Sequence, residues 1–163
     1  MTLRIKFDID IMKFISLFER ITKINAKDCF KQGERIIFIV NEGKAGMAVG
    51  KKGMNIKRLE NLFKKKVKIV EYNDDLIEFV KNIIHPLPAK EISEDNGIVT
   101  IIPLDSQTRG YLIGREAVNL RGFEDIVKRY FEIKEIKVDS EQFTNKEGKQ
   151  VRVSTIDITL ARV

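Results

Sequence analysis

The sequence predicts an α+β protein built from two tandem copies of one small unit, each a mixed three-stranded sheet covered on one face by helices. Three observations carry this. Gly50 to Phe63 read GKKGMNIKRLENLF and Gly114 to Val127 read GREAVNLRGFEDIV, with Gly50/Gly114, Asn55/Asn119 and Glu60/Glu124 identical at a single offset of 64 residues. Apolar positions coincide at that offset, as do the basic pairs Lys51/Arg115 and Lys57/Arg121. Finally, the order helix–strand–strand–helix–helix–strand is legible twice. An offset longer than about 50 residues describes two copies of a domain rather than a solenoid.

The elements follow in order. Ile11, Phe14, Ile15, Leu17, Phe18, Ile21 and Ile24 fall at spacings of three and four, which predicts a helix over 10–24 with Asp8 or Asp10 as N-cap. A short strand is expected at 28–31, a turn at Gln32-Gly33-Glu34, and a buried strand at 35–40. Asn41-Glu42-Gly43 leads into a short helix ending at Gly50, and a second helix covers 54–64, where Lys64-Lys65-Lys66 suits the negative end of the dipole. Residues 67–72 alternate as a strand, and Asp74-Asp75 opens a helix that stops at His85-Pro86-Leu87-Pro88. Two prolines separated by one residue predict a stiff, extended joint, so the boundary is placed there, giving units 1–85 and 86–163. The second copy reads as a strand at 89–93, a turn at 94–97, a strand at 98–103, helices at 106–113 and 117–131, and a strand at 133–139. A turn at Asn145–Gly148 and an extra C-terminal strand complete it.

Composition narrows the function. A single cysteine, Cys29, excludes a disulfide framework and a cysteine-based zinc site, and its apolar surroundings make it a small buried hydrophobe. The start has no apolar segment of signal-peptide length, and no run approaches the roughly 20 residues that span a bilayer, so a cytoplasmic protein without membrane contact is expected. His85 is the one histidine and reads as structural or surface. There is no nucleophile elbow and no P-loop, so no enzyme, cofactor, metal or small-molecule substrate is expected. The net charge is +6 and uneven: residues 1–73 hold 17 basic and 8 acidic side chains, +9, whereas 74–163 hold 13 and 16, −3. A polyanion partner that engages mainly the first copy follows.

Gly50-Lys51-Lys52-Gly53 supplies the chemistry for such a partner. Glycines permit a tight loop, the following helix start offers free N–H groups and the positive dipole end, and the lysines add two charges. A GXXG loop between two helices is how a KH module clamps about four nucleotides of a single strand. Here it coincides with a preceding apolar turn, basic X residues, a following helix, a strand on each side and a partial second copy.

On these residues the chain resembles tandem type II KH domains over nearly its whole length, and it is similar to the archaeal NusA family of transcription factors. The first copy carries the motif at Val49 to Gly53 with Ile56-Lys57. The second departs from it, because Gly114-Arg115-Glu116-Ala117 has Ala for the last glycine and an acidic residue in the loop. Ala takes φ > 0 less readily than Gly, so the second loop is expected to grip phosphate weakly by itself. The resemblance implies RNA binding in transcription elongation or termination, with RNA polymerase as a further partner. The site residues expected are Gly50, Lys51, Lys52, Gly53, Asn55, Lys57 and Arg58 in the first copy, with Gly114, Arg115 and Arg121 extending the track. Bases would lie in the apolar groove between loop and sheet edge. A ribosome-associated KH protein and a KH-fold protein–protein adaptor are the alternatives.

Overall fold

The computed structural model describes residues 9–139 and the strand segments 142–144 and 150–152. The first unit runs α1 (Ile9–Thr22), β1 (Ala26–Gln32), β2 (Arg35–Val40), α2 (Ala45–Val49), α3 (Met54–Phe63) and β3 (Lys66–Glu71). β2 is central, antiparallel to β1 and parallel to β3. The apolar stripe of α1 meets one face of this sheet. Phe18 stacks on Phe38 at 4.2 Å between ring centroids, and Phe14 meets Phe63 of α3 edge-on at 4.8 Å. Ile36, Phe38, Val40, Val67 and Cys29 complete that core with Leu59 and Ala48. β2 is buried on its other face as well: Ile37 and Ile39 are 1% and 0% exposed. That explains why it reads as an unbroken apolar run rather than an alternation. Asp10 lies inside the first turn of α1 and pairs with Lys31 at 3.1 Å. Asp8 lies outside the described residues.

The second unit repeats the plan with α4 (Leu76–Ile84), β4 (Ala89–Asp95), β5 (Ile98–Pro103), α5 (Ser106–Ile113), α6 (Val118–Lys128) and β6 (Glu135–Val138). β5 is central, antiparallel to β4 and parallel to β6. β4 extends two residues further than expected, because Asn96 and Gly97, both at positive φ, close a two-residue hairpin turn. α6 stops three residues short of the expected end. Arg129 and Tyr130 tighten to i→i−3 bonds, and Tyr130 and Phe131 leave the helical line to clasp Phe79 of α4 at 5.6 and 5.7 Å. β7 (Gln142–Thr144) and β8 (Gln150–Arg152) pair antiparallel. The Asn145–Gly148 turn and the tail beyond 152 lie outside the described residues.

By packing, the chain divides after Asn73, into units 1–73 and 74–163. α4 packs on β4 and α6, so it sits with the second unit. Asp75 caps it by accepting from the Glu78 N–H at 3.1 Å. The two prolines do not form the extended joint expected of them. Residues 85–87 make a turn in which the Leu87 N–H donates to the Ile84 carbonyl at 2.9 Å. His85, pushed out of the helical region by the following proline, ends α4 at φ −49°, ψ 137°.

Candidate nucleic-acid interface

The two loops have the same backbone. Gly50 sits at φ 80°, ψ 166° and Gly114 at φ 73°, ψ 175°. Lys52 and Glu116 both take φ 56°. Gly53 and Ala117 both enter the left-handed region, at φ 72° and 61°. Ala117 therefore adopts the conformation its methyl disfavours, at a cost of roughly 1–2 kcal/mol.

The residues repeated at offset 64 explain this identity. A Cβ on Gly50 would stand 2.9 Å from the Asn55 amide, and one on Gly114 would stand 2.6 Å from that of Asn119. Each amide reaches back to the last turn of the preceding helix. Asn55 donates to the Met47 carbonyl at 3.4 Å, and Asn119 to the Tyr111 carbonyl at 2.9 Å. The glycine makes room for a bracket that fixes the angle between the two helices. Glu60 and Glu124 do a second job: they accept the N–H of Val67 at 3.2 Å and of Ile136 at 2.9 Å, tying α3 to β3 and α6 to β6. In the first unit Glu71 accepts from the Gly43 and Ala45 N–H groups at 2.8 and 3.4 Å, anchoring the start of α2 to β3.

Held this way, the helix starts are left open. α4 and α5 of the same chain are capped by Asp75 and Asp105, whose side chains accept from Glu78 and Thr108. The Thr108 hydrogen bond at 2.7 Å holds the Asp105 carboxyl below its usual range. α3 and α6 have no side-chain cap. The N–H groups of Met54 and Val118 donate to the Lys51 and Arg115 carbonyls in the single turn before each helix, so what α3 and α6 present to an anion at the loop is chiefly the positive end of the dipole. Lys51, Lys52, Lys57 and Arg58 are exposed, and none makes an ion pair with another described residue. In the second copy Arg115 and Arg121 are exposed at the corresponding places, with Glu116 between them.

Of the expected site residues, the structure gathers Gly50, Lys51, Lys52 and Gly53 at one helix start, with Lys57 and Arg58 one turn along α3. Gly114 and Arg115 form the equivalent turn, with Arg121 on α6. Asn55 belongs to the scaffold beneath the loop through its bond to Met47.

Sequence reasoning missed the apolar rim. Met47 and Met54 flank the first loop at 61% and 59% exposure, and Tyr111 and Val118 flank the second at 56% and 57%. These pairs also stand 64 residues apart, out of phase with the core, and that was the available signal. Gly46 and Gly110 form a third such pair. Each lies within a helix, and a Cβ on either would meet nothing within 4 Å. Nothing in the fold requires them to be bare, yet glycine costs a helix about 0.5–1 kcal/mol. They leave helix backbone uncovered beside the loop. Cys29 takes no part: it is buried in the core, where burial, and then Asp28, push its thiol up to about 12.

Comparison with known proteins agrees with the geometry. A family profile described as KH domain matches residues 14–87, which hold the first loop and both helices around it. The fold and the loop thus define a KH-type protein. The chain is 37% identical over 148 residues to the "Probable transcription termination protein NusA" of Methanocaldococcus jannaschii, covering 86% of this chain and 79% of that one. It is 30% identical to the protein of the same name from Thermoplasma acidophilum, covering 82% and 95%. A crystal structure titled APE1850 superposes with a TM-score of 0.62 at 29% identity, over 81% of this chain and 99% of that one. The chain belongs to the archaeal NusA-like family.

Proposed function

We propose that this chain is a non-enzymatic, single-stranded RNA-binding factor acting in transcription elongation or termination. The observation that carries the reading is the uncapped start of α3, ringed by Gly50, Lys51, Lys52 and Gly53, with no ion pair on either lysine. Phosphates would be held there by the dipole and the lysines together. Bases would lie against Met47, Met54 and the bare backbone at Gly46. The relatives named for transcription termination support the process. The repeated topology supports assigning 86–163 as a second KH unit after a first of 1–85. In that assignment α4 is encoded with the first copy, as the profile match ending at Leu87 suggests, and packed on the second.

RNA polymerase is the proposed protein partner, and the compartment the cytoplasm. Among the described residues no helix is long and apolar enough to cross a membrane. One observation favours a second reading, a protein adaptor: the −3 charge of residues 74–163, with Glu116 inside the second loop. Crosslinking the protein in cells and sequencing the attached RNA separates them, with polymerase and ribosomal particles assayed in the same pull-down. Nascent transcripts recovered with polymerase are expected. Recovery of ribosomal RNA with ribosomal particles would reassign the process, and recovery of no RNA would favour the adaptor.

A further inference from the structure

Beyond the loop, the first unit has a second basic feature at the opposite end of α3. A depression of about 550 Å³ is lined by Lys57, Lys64, Lys65 and Lys66 together with Glu34, Glu60 and Asn61. Its two carboxylates are already engaged. Glu60 accepts the Val67 N–H at 3.2 Å, and Glu34 pairs with Lys65 at 3.3 Å. Lys57, Lys64 and Lys66 remain exposed without an ion pair to any described residue.

The helix dipole accounts for part of this charge, since cations suit a helix C-terminus. It does not account for Lys57, two turns back, or for Lys66, which begins β3. Lys64 closes α3 as Lys23, at φ 63°, closes α1. Lys64 occupies the left-handed position there, at φ 56°, where glycine or asparagine is the common choice. The second copy keeps three of the basic positions, at Arg121, Lys128 and Arg129, but changes their setting. At the 64-residue offset Asp125 replaces Asn61 and Tyr130 replaces Lys66, and α6 ends on Arg129 in the ordinary helical region, at φ −70°. The depression lies in the unit with the +9 charge.

We infer that this depression is a second phosphate station, taking the backbone of the RNA that flanks the segment held at the loop. The inference rests on the RNA-binding reading above. α3 has ten residues and so spans about 15 Å, with Lys57 between its two ends. A strand leaving the loop along the exposed side of α3 meets Lys57 first, then Lys64 and Lys66. The groove beside the loop reads bases; this station adds length-dependent, sequence-independent affinity.

The test uses the full chain and two single-stranded RNAs, one of about four nucleotides that fills only the clamp and one roughly three times longer. Both are titrated at several salt concentrations against Lys64→Gln with Lys66→Gln. A control of equal charge change, Lys13→Gln with Lys23→Gln on the α1 side, is run alongside. Thermal unfolding confirms that all variants are folded. Lys66→Gln alone, which leaves the helix end untouched, serves as a milder variant. The double variant should bind the longer strand about tenfold more weakly, with a salt slope flatter by about 1.4. Binding of the short strand should be unchanged, and the control should move neither. Loss on the longer strand no greater than in the control, while reversal of Lys51 and Lys52 still removes binding, overturns the station and leaves the RNA reading intact. Equal loss on both lengths also overturns it, because the lysines would then act through the clamp. If the unaltered chain binds neither strand, the RNA reading falls, and this inference with it.

Discussion

The two loops of this chain share a backbone and differ in what surrounds it. Gly53 and Ala117 occupy the same left-handed position, but a Cβ at Gly53 would stand in open space, whereas Ala117 is fully buried. The first loop therefore remains open at its fourth residue, while the second uses that residue for packing. The charge differs in the same sense, with Lys52 in the first loop and Glu116 in the second. The brackets that set loop geometry are present in both, and the Asn bracket is shorter in the second, at 2.9 against 3.4 Å. The two copies thus keep one scaffold around loops that differ in charge and packing.

The sharpest way to break this comparison is to make the first loop resemble the second in charge. Lys51→Asp with Lys52→Asp should weaken RNA binding at low salt by a hundredfold or more. Each charge-assisted contact contributes about 1.5–3 kcal/mol, and repulsion replaces both. The salt slope should flatten by about 1.4, with unchanged thermal unfolding because both side chains are in solvent. Full affinity in the folded variant would remove the loop from the site.

The next effect separates shape from charge. Gly46→Val fills the bare patch on α2, where a Cβ meets no protein atom within 4 Å. The variant should fold with stability within about 0.5 kcal/mol of the parent, since valine is a modestly better helix former than glycine. It should bind RNA roughly tenfold more weakly, because a ligand can no longer approach the helix backbone. Gly110→Val should change binding much less if the first copy carries the affinity. Equal losses would mean that the two copies share it.

Much of this was legible in the sequence, for identifiable reasons. Elements whose periodicity is set by one dominant face, such as α1 and α3, announced themselves, and so did the loop, because glycine and lysine at a helix start have few other uses. Three things were not. Asn55, expected among the binding residues, also donates to the Met47 carbonyl beneath the loop, a bond between two helices that local spacing does not announce. The prolines marked the end of α4 but not the unit that α4 packs on, which long-range contacts with β4 and α6 decide. Exposure of Tyr111 and Met47 depends on which helix face the neighbouring elements leave uncovered, and local spacing does not encode that.

A smaller effect sharpens the comparison from the side of the second loop. In full-length protein already carrying Lys51→Asp and Lys52→Asp, the residual binding belongs to the second copy. Glu116→Lys with Ala117→Gly should raise it about tenfold and steepen its salt dependence by about 0.7. Removing the Ala117 methyl costs about 0.8 kcal/mol of burial, but it relieves the left-handed strain, so stability should scarcely move. Glu132→Lys, an exposed site past the end of α6, controls for added charge. A gain from Glu132→Lys equal to that from the repaired loop would show that RNA does not pass over the second loop.

The two sheets offer the last contrast, on the face turned away from the helices. There Lys68 in β3, beside Ile37, and Lys137 in β6, beside Thr100, hold corresponding places. Both are half-buried, and Lys137 pairs with Glu135 at 3.5 Å. Lys68 lies on the face where Ile37, Ile39 and Val70 are all buried. Burial, and then Arg35, pull its amine down from 10.5 to about 8. Between about pH 8 and 10.5 the unfolded chain holds this proton and the folded one does not, so the residue's contribution to stability improves as pH rises through that window. Below about 8 both states are protonated, and the folded state bears the cost of a partly buried charge. Lys68→Met should therefore stabilise the first unit by about 1 kcal/mol at neutral pH, and the gain should shrink toward zero near pH 10.5. Lys137→Met, at the corresponding place in β6, is the comparison for side-chain packing. Denaturant melts of the parent and both variants from pH 7 to 10.5 measure this as differences. A Lys68→Met gain that stayed constant across the range would mean that the side chain acts by packing and not by charge.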